Sequence, residues 1–300
     1  MNKVVVITGP TAVGKTKMSL EIARRFNTDI INSDAYQIYT KMDIATAKPT
    51  KEELSLVKHH FMDFLDPSCE YSIADYQKSV RSLIDEMHSL GKLPLLVGGS
   101  GLYIDSVIKD YRFIDEARDD VLEKEYENLS NEELHDILKD KDLDLANKIH
   151  ANNRNRVLRA IALSNSETDK SERTKSDNFV YDTLIIFLSD DREKLYDRIN
   201  KRVDKMIDDG LLDEIKSIGL DNFSKTSSKA IGYKEMLDHF NGVISLDDAI
   251  FEIKKNSRHY AKRQFTWFKN KTDSKIVNVD VENFENTINE VEALIKDFLK

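Results

Sequence analysis

The stretch "GPTAVGKT", Gly9 to Thr16, restricts the possible folds of this chain more than any other. It follows "KVVVITG" (3–9), a short β-branched run ending in glycine, which has the pattern of a buried strand. It precedes "TKMSLEIARRF" (16–26), where Met18, Ile22, Ala23 and Phe26 recur at helical spacing. A G-x-x-x-x-G-K-T pattern between a strand and a helix is a phosphate-binding loop. Its amides and the helix N-terminus face an anion, Lys15 supplies a positive charge, and the Thr16 hydroxyl can hold Mg²⁺. Gly9, Pro10, Thr11, Ala12, Val13, Gly14, Lys15 and Thr16 are therefore candidate phosphate-binding residues.

The rest of the chain extends this unit. "DIINSD" (29–34), "KLPLLVGG" (92–99), "TLIIFLS" (183–189) and "KIVNVD" (275–280) have the character of further buried strands. Between two of them lies a helical pattern that starts at Ser72 and Asp75 and stops at Gly91. The alternation predicts an α/β fold, a P-loop NTPase-like parallel sheet with helices on both faces. Residues 110–179 are polar, with helical but no strand patterns, and are expected to form a helical insertion between core segments 1–109 and 180–300. "SNSETDKSERTKSDN" (164–178) is too polar to bury its own surface and is expected to be a mobile loop. A single cysteine, Cys69, excludes an internal disulfide framework. No apolar run is long enough to span a bilayer, and the opening segment is expected to be a first strand and not a signal peptide. A cytoplasmic monomer without membrane contact is expected. The net charge of −9 argues weakly against a nucleic-acid partner until its distribution is considered.

The loop identifies phosphates, not chemistry. Motor NTPases carry a second strand ending in aspartate for the Mg²⁺ shell. Here the corresponding strand ends "LLVGGSG", with no acid, which leaves a small-molecule kinase possible but weakens a motor. Asp34 stands at the carboxyl end of strand two, where open α/β sheets bind ligands. It can accept a proton from an attacking group, or merely cap a turn. Tyr36, Gln37 and Thr46 add polar groups for a planar substrate, and Lys48 adds charge; Asp43 is an outer Mg²⁺ ligand or a cap. His59 and His60 are adjacent, with no third ligand at useful spacing, and are assigned to packing and hydrogen bonding.

Two further segments carry charge. In "DDREKLYDRINKRVDKM" (190–206), Leu195, Ile199, Val203 and Met206 form an apolar stripe. Arg198 and Arg202 border it one turn apart, suited to a diphosphate or to a solvated face. Residues 251–275 hold eight lysines and arginines against two acids. Lys255, Arg258, Lys262 and Lys269 share a helical face, with Tyr260, Phe265, Trp267 and Phe268 interleaved. Such a face can neutralise RNA phosphates while aromatics stack on bases; otherwise it is a solvated face over core aromatics. "RNRVLRA" adds Arg154, Arg156 and Arg159.

Taken in order, "GPTAVGKT", "SDAYQIYTKMDIATAKP", "HHFMDFLDP", "YSIADY", "GKLPLLVGGSGLY", "RNRVLRAI" and "AIGYKEM…AKRQFTWFK" resemble the tRNA dimethylallyltransferase family from Gly9 to about Phe268. The resemblance implies transfer of a dimethylallyl group from dimethylallyl diphosphate to N6 of adenosine 37 in the tRNA anticodon stem-loop, with Mg²⁺. The phosphate loop, despite its ATP-site pattern, would hold the prenyl donor with Arg198 and Arg202. Lys15, Thr16 and Asp34 would be catalytic, with Asp34 as general base and Thr16 on Mg²⁺. The resemblance places Asp34, Ala35, Tyr36, Gln37 and Ser100 against the target base and its neighbours in tRNA; Lys262 of the basic segment and Arg154, Asn155 and Arg156 of "RNRVLRA" are further expected tRNA contacts. Two residues depart from the family pattern: Ala45 replaces a usual glycine and Ser100 a usual threonine. A small-molecule kinase using ATP, prenylation of free adenine nucleotides and an RNA-binding nucleotide switch without catalysis are the alternatives.

Overall fold

The computed structural model describes residues 2–113, 124–165, 175–271 and 273–300. It divides into two compact units, one of Met1–Tyr111 with Ser176–Lys300 and one of Arg112–Lys175.

The larger unit is an α/β layer structure. Its strands are β1 (Lys3–Thr8), β2 (Ile30–Asn32), β3 (His59–His60), β4 (Leu95–Gly98), β7 (Asp182–Ser189) and β8 (Ser274–Asn278), in the order β3-β2-β4-β1-β7-β8. All described pairings in this sheet are parallel. β1 lies at its centre, with Val5 opposite both Leu95 and Leu184. Both faces of β1 are covered, which is why its sequence is a continuous apolar run and not an alternating one.

The two faces have separate cores. Val5, Ile7, Leu95 and Ile186 pack against Met18 and Ile22 of α1 (Lys15–Arg25). The same layer includes Leu195 and Ile199 of α8 (Arg192–Asp208) and Val291 of the C-terminal α12 (Phe284–Leu299). Val4, Val6, Leu96 and Phe187 pack against Tyr76, Val80 and Ile84 of α3 (Ile73–Ser89) and Ile104 of α4 (Gly101–Ile108). Ser72 caps α3, its hydroxyl accepting the Asp75 amide at 3.0 Å. A third cluster joins Ile38, Tyr39 and Met42 to Val203 of α8, Leu211 and Ile215 of α9 (Leu211–Ile218), Met236 of α10 (Tyr233–Phe240) and Ile253 of α11 (Leu246–Lys271). The short α2 (Lys51–Leu56) has a capping box between Thr50 and Glu53.

The smaller unit contains α5 (Asn131–Lys141), α6 (Leu143–Lys148) and α7 (Arg154–Asn165) around Leu134, Leu138, Ala146, Val157 and Ile161. Between the units in sequence, β5 (Lys109–Tyr111) and β6 (Lys175–Phe179) form a two-stranded sheet. The polar sequence of 175–178 carries no strand signal, whereas Phe179, the last residue of β6, packs against a core cluster. Of the expected loop 164–178, residues 164–165 end α7 and 175–178 belong to β6; the remainder lies outside the described residues.

Candidate active site

Three neighbouring parallel strands, β2, β4 and β1, deliver their carboxyl ends to one edge of the sheet. β1 runs into the phosphate loop, β2 into Asp34 and β4 into the turn at Gly99 and Ser100. Open α/β sheets bind ligands at this edge.

Gly14 is the cap residue of α1, with φ of 101°, a conformation glycine adopts without a steric cost. Val13 is buried in the core, which anchors the loop from below. Lys15 Nζ donates to the carbonyls of Gly9 and Pro10, at 3.0 and 2.9 Å. Its ammonium is curled back on the loop itself. Burial lowers its pKa to about 8; the Asp34 charge offsets part of this and Arg202 adds to it. The hydroxyl of Ser19 donates to Thr16 O at 2.9 Å, one turn into the helix.

Asp34 is partly buried, and burial raises its pKa. The Tyr36 amide, Lys15, the Gln37 backbone and Arg202 oppose that rise. Its Oδ1 accepts the Tyr36 amide at 2.9 Å, and its own amide donates to Asn32 Oδ1 at 3.1 Å. Asp34 therefore caps the turn through Oδ1 while its carboxyl group also feels the charges of Lys15 and Arg202. Its own charge in turn supports both cations. Arg202 is partly buried; burial lowers its pKa and Asp34 opposes this.

The two arginines of α8 differ. Arg198 donates from Nε to Ala12 O at 3.1 Å and from Nη2 to Asp190 at 2.5 Å. It holds the phosphate loop at Ala12, a non-glycine residue with φ of 63°. Arg202 lies deeper, beside a cavity of about 460 Å³ lined also by Ile44, Pro49, Met206 and Lys51.

The loop after Asp34 is fixed by side chains with structural duties. Gln37 Nε2 donates to the carbonyls of Thr46 and Ala47, at 3.0 and 3.2 Å. The Thr46 hydroxyl donates to Met42 O at 2.6 Å. The Lys48 side chain is 3 % exposed, donating to Tyr39 O and pairing with Asp43 and Asp63. Its charge is thus balanced by two carboxylates, and Asp43 serves as its partner. Glu214 on α9 accepts the Asp43 and Ile44 amides, each at 3.0 Å, and the Tyr233 hydroxyl at 2.5 Å. Ala45 is not at positive φ, so the methyl that replaces the family's glycine strains no backbone. His60 pairs with Asp29 at 2.9 Å and His59 Nδ1 lies 2.8 Å from Val57 O.

Ser100 Oγ accepts the Ala35 amide at 3.2 Å and lies 3.4 Å from the Tyr260 hydroxyl. Tyr36, beside it, has its phenol pushed up to about 12, by burial first and the Asp34 charge second.

α11 combines two faces. Phe268 is fully buried and Phe265 partly so, both packed on Phe187 with ring centroids 5.8 and 5.3 Å away. Trp267 donates to Asp105 at 3.2 Å. These aromatics belong to the core. Lys254 pairs with Asp204 at 2.5 Å, Lys255 with Glu252 at 2.9 Å, and Arg258 donates to Asn200 at 2.6 Å. Lys262, Arg263 and Lys269 are exposed. In the smaller unit, Arg154 donates to the carbonyls of Tyr126 and Leu129, at 2.5 and 2.6 Å, and holds that unit's own turn. Asn155, Arg156 and Arg159 are exposed on α7.

Sequence reasoning overlooked Gln264, Asp190 and Glu214. Gln264 is 3 % exposed and sits on the buried stripe of α11 with Ala261 and Phe268. A polar residue on an apolar stripe is the signal that would have found it.

The family model described as IPP transferase matches residues 37–271. A tRNA dimethylallyltransferase of Bacillus licheniformis is 47% identical over 288 residues, covering 91% of each chain. The crystal structure of a tRNA delta(2)-isopentenylpyrophosphate transferase from Staphylococcus epidermidis is 40% identical, with a TM-score of 0.74 over 99% of both chains. A eukaryotic dimethylallyltransferase acting on tRNA is 28% identical, with a TM-score of 0.83 over 100% of this chain and 80% of its own. Family model, relatives and fold agree across nearly the whole sequence, and the chain belongs to the IPP transferase family.

Proposed function

We propose that this chain transfers a dimethylallyl group from dimethylallyl diphosphate to the exocyclic N6 of adenosine 37 in tRNA, releasing diphosphate. The observation that carries the reading is the juxtaposition of a phosphate loop with the partly buried Asp34, which shares the field of Lys15 and Arg202. The adenine amine is a weak nucleophile, its lone pair delocalised into the ring. The reaction needs a stabilised leaving group and an acceptor for the proton.

Lys15, the loop amides and Arg202 stabilise charge on the departing diphosphate. When donor binds, Lys15 exchanges the carbonyls of Gly9 and Pro10 for phosphate oxygens. Arg198 keeps the loop in shape through Ala12. Asp34 takes the N6 proton, and burial raises its basicity for that task. The carbon–oxygen bond to diphosphate breaks as the carbon–nitrogen bond forms. The target base leaves its stack to enter the site, at a cost of about a few kcal/mol. Lys262 provides contact to the RNA from the larger unit, and Asn155 and Arg156 are separate candidate contacts on the smaller unit.

The residues present suit a magnesium ion held largely by the donor. Among the described residues no group of three or more His, Cys, Asp or Glu side chains is arranged around a metal. The Thr16 hydroxyl, in the first turn of α1, is the side chain that would hold the ion beside the donor's phosphates. A magnesium ion there would supply positive charge to the leaving diphosphate.

Incubation of the protein with tRNA, dimethylallyl diphosphate and Mg²⁺, followed by nucleoside mass spectrometry, tests the reading. The expected product is a single dimethylallyl-adenosine. Activity on AMP but not on an anticodon stem-loop, or phosphoryl transfer from ATP to a small alcohol, would replace it.

A further inference from the structure

Gln264 spans two loops of the site with one amide. Its Oε1 accepts the Thr11 amide of the phosphate loop at 3.1 Å, and its Nε2 donates to Gly99 O at 3.0 Å. The side chain is buried. A Cβ at position 99 would lie 2.1 Å from Nε2, so the glycine there makes room for this bridge. One turn earlier on α11, the Tyr260 hydroxyl donates to the same carbonyl at 3.3 Å and lies 3.4 Å from Ser100 Oγ. Thr11 N is thereby turned to α11 and is not one of the amides offered to an anion. The remaining amides of the loop are left to form the cradle.

We infer that Gln264 is a positioning residue for the phosphate loop: by holding Thr11 N it sets the loop conformation that binds diphosphate. The inference rests on the loop being the diphosphate site of the prenyl donor. A partly buried donor without a partner is costly, so loss of the amide drives Thr11 to find another acceptor and moves the loop. A purely structural role would lower stability without singling out the diphosphate. The Tyr260 bridge touches Gly99 and Ser100 but not Thr11, which provides an internal comparison.

The test measures binding of inorganic pyrophosphate with Mg²⁺ by calorimetry, for the wild type, Gln264→Met, Gln264→Asn and Tyr260→Phe. Methionine keeps the length and removes both bonds; asparagine keeps the amide but falls one methylene short. The same proteins are assayed for donor KM, kcat and tRNA affinity. Expected are a loss of pyrophosphate affinity of about tenfold in both Gln264 variants and a matching rise in donor KM, with tRNA affinity unchanged. Tyr260→Phe should bind pyrophosphate within about twofold of the wild type. Wild-type pyrophosphate affinity in either folded Gln264 variant overturns the inference, as does an equal loss in Tyr260→Phe. Failure of the wild type to prenylate tRNA while binding pyrophosphate would instead reject the donor reading and leave the positioning role to be judged on pyrophosphate alone.

Discussion

Ser100 Oγ accepts the backbone amide of Ala35 at 3.2 Å, which fastens the turn after β4 to the residue that follows Asp34. The hydroxyl that replaces the family's threonine is thus engaged within the protein, next to Tyr260. Ser100→Ala leaves the Ala35 amide without this acceptor and loosens the base. Turnover should fall by about tenfold, the effect of one lost hydrogen bond, while Ser100→Thr, which keeps the hydroxyl, should retain wild-type turnover. Steady-state kinetics on the three proteins decides this.

Asp34→Asn removes the proton acceptor but keeps an oxygen for the Tyr36 amide. Turnover should drop by about 10² to 10⁴-fold, with tRNA affinity within a few-fold of wild type. Turnover within a few-fold would show that Asp34 is not the base. Burial raises its carboxyl pKa in the fold, so between the unfolded and folded values the native state holds the extra proton. Stability therefore declines as pH rises through that window. The variant should melt higher than wild type at pH 7, and the gap should close in acid below the unfolded carboxyl value. The acid limb of the kcat/KM profile should sit above the ordinary carboxylate range.

Lys15 titrates at about 8 without ligand, well below an ordinary lysine. A bound diphosphate favours the ammonium, so binding takes up a proton above that pH. Donor affinity should weaken as pH rises past 8, approaching about tenfold per unit. Calorimetry in buffers of different ionisation enthalpy reads the proton uptake directly. Lys15→Met should bind weakly and lose the dependence.

The sheet was legible because each strand that is buried on both faces announces itself as an apolar run, from Val4–Ile7 to Leu184–Leu188. β3 was not, since His59 and His60 are partly buried edge residues with no such run. The site was legible where chemistry is concentrated in a motif, as at Lys15 and Asp34. It was not where a residue acts through the backbone of another segment. Gln264 reaches Thr11 across 253 positions of sequence, and Glu214 reaches Ile44 across 170. Composition also left the aromatics of α11 undecided between RNA stacking and core, and packing on Phe187 settled Phe265 and Phe268 as core.

Lys262 is exposed on α11, one residue from the exposed Arg263. Lys262→Ala should weaken tRNA binding and reduce the slope of log affinity against log salt by about 1, leaving donor KM unchanged. Binding titrations at several salt concentrations measure it. An unchanged slope removes Lys262 from the phosphate contacts.

A crystal structure with a non-hydrolysable dimethylallyl diphosphate analogue examines the whole arrangement at once. The analogue's two phosphates should occupy the nest formed after β1, in contact with Lys15, and its first carbon should face the carboxylate of Asp34. An analogue whose hydrocarbon tail runs away from that carboxylate, or whose phosphates sit elsewhere, would contradict the account.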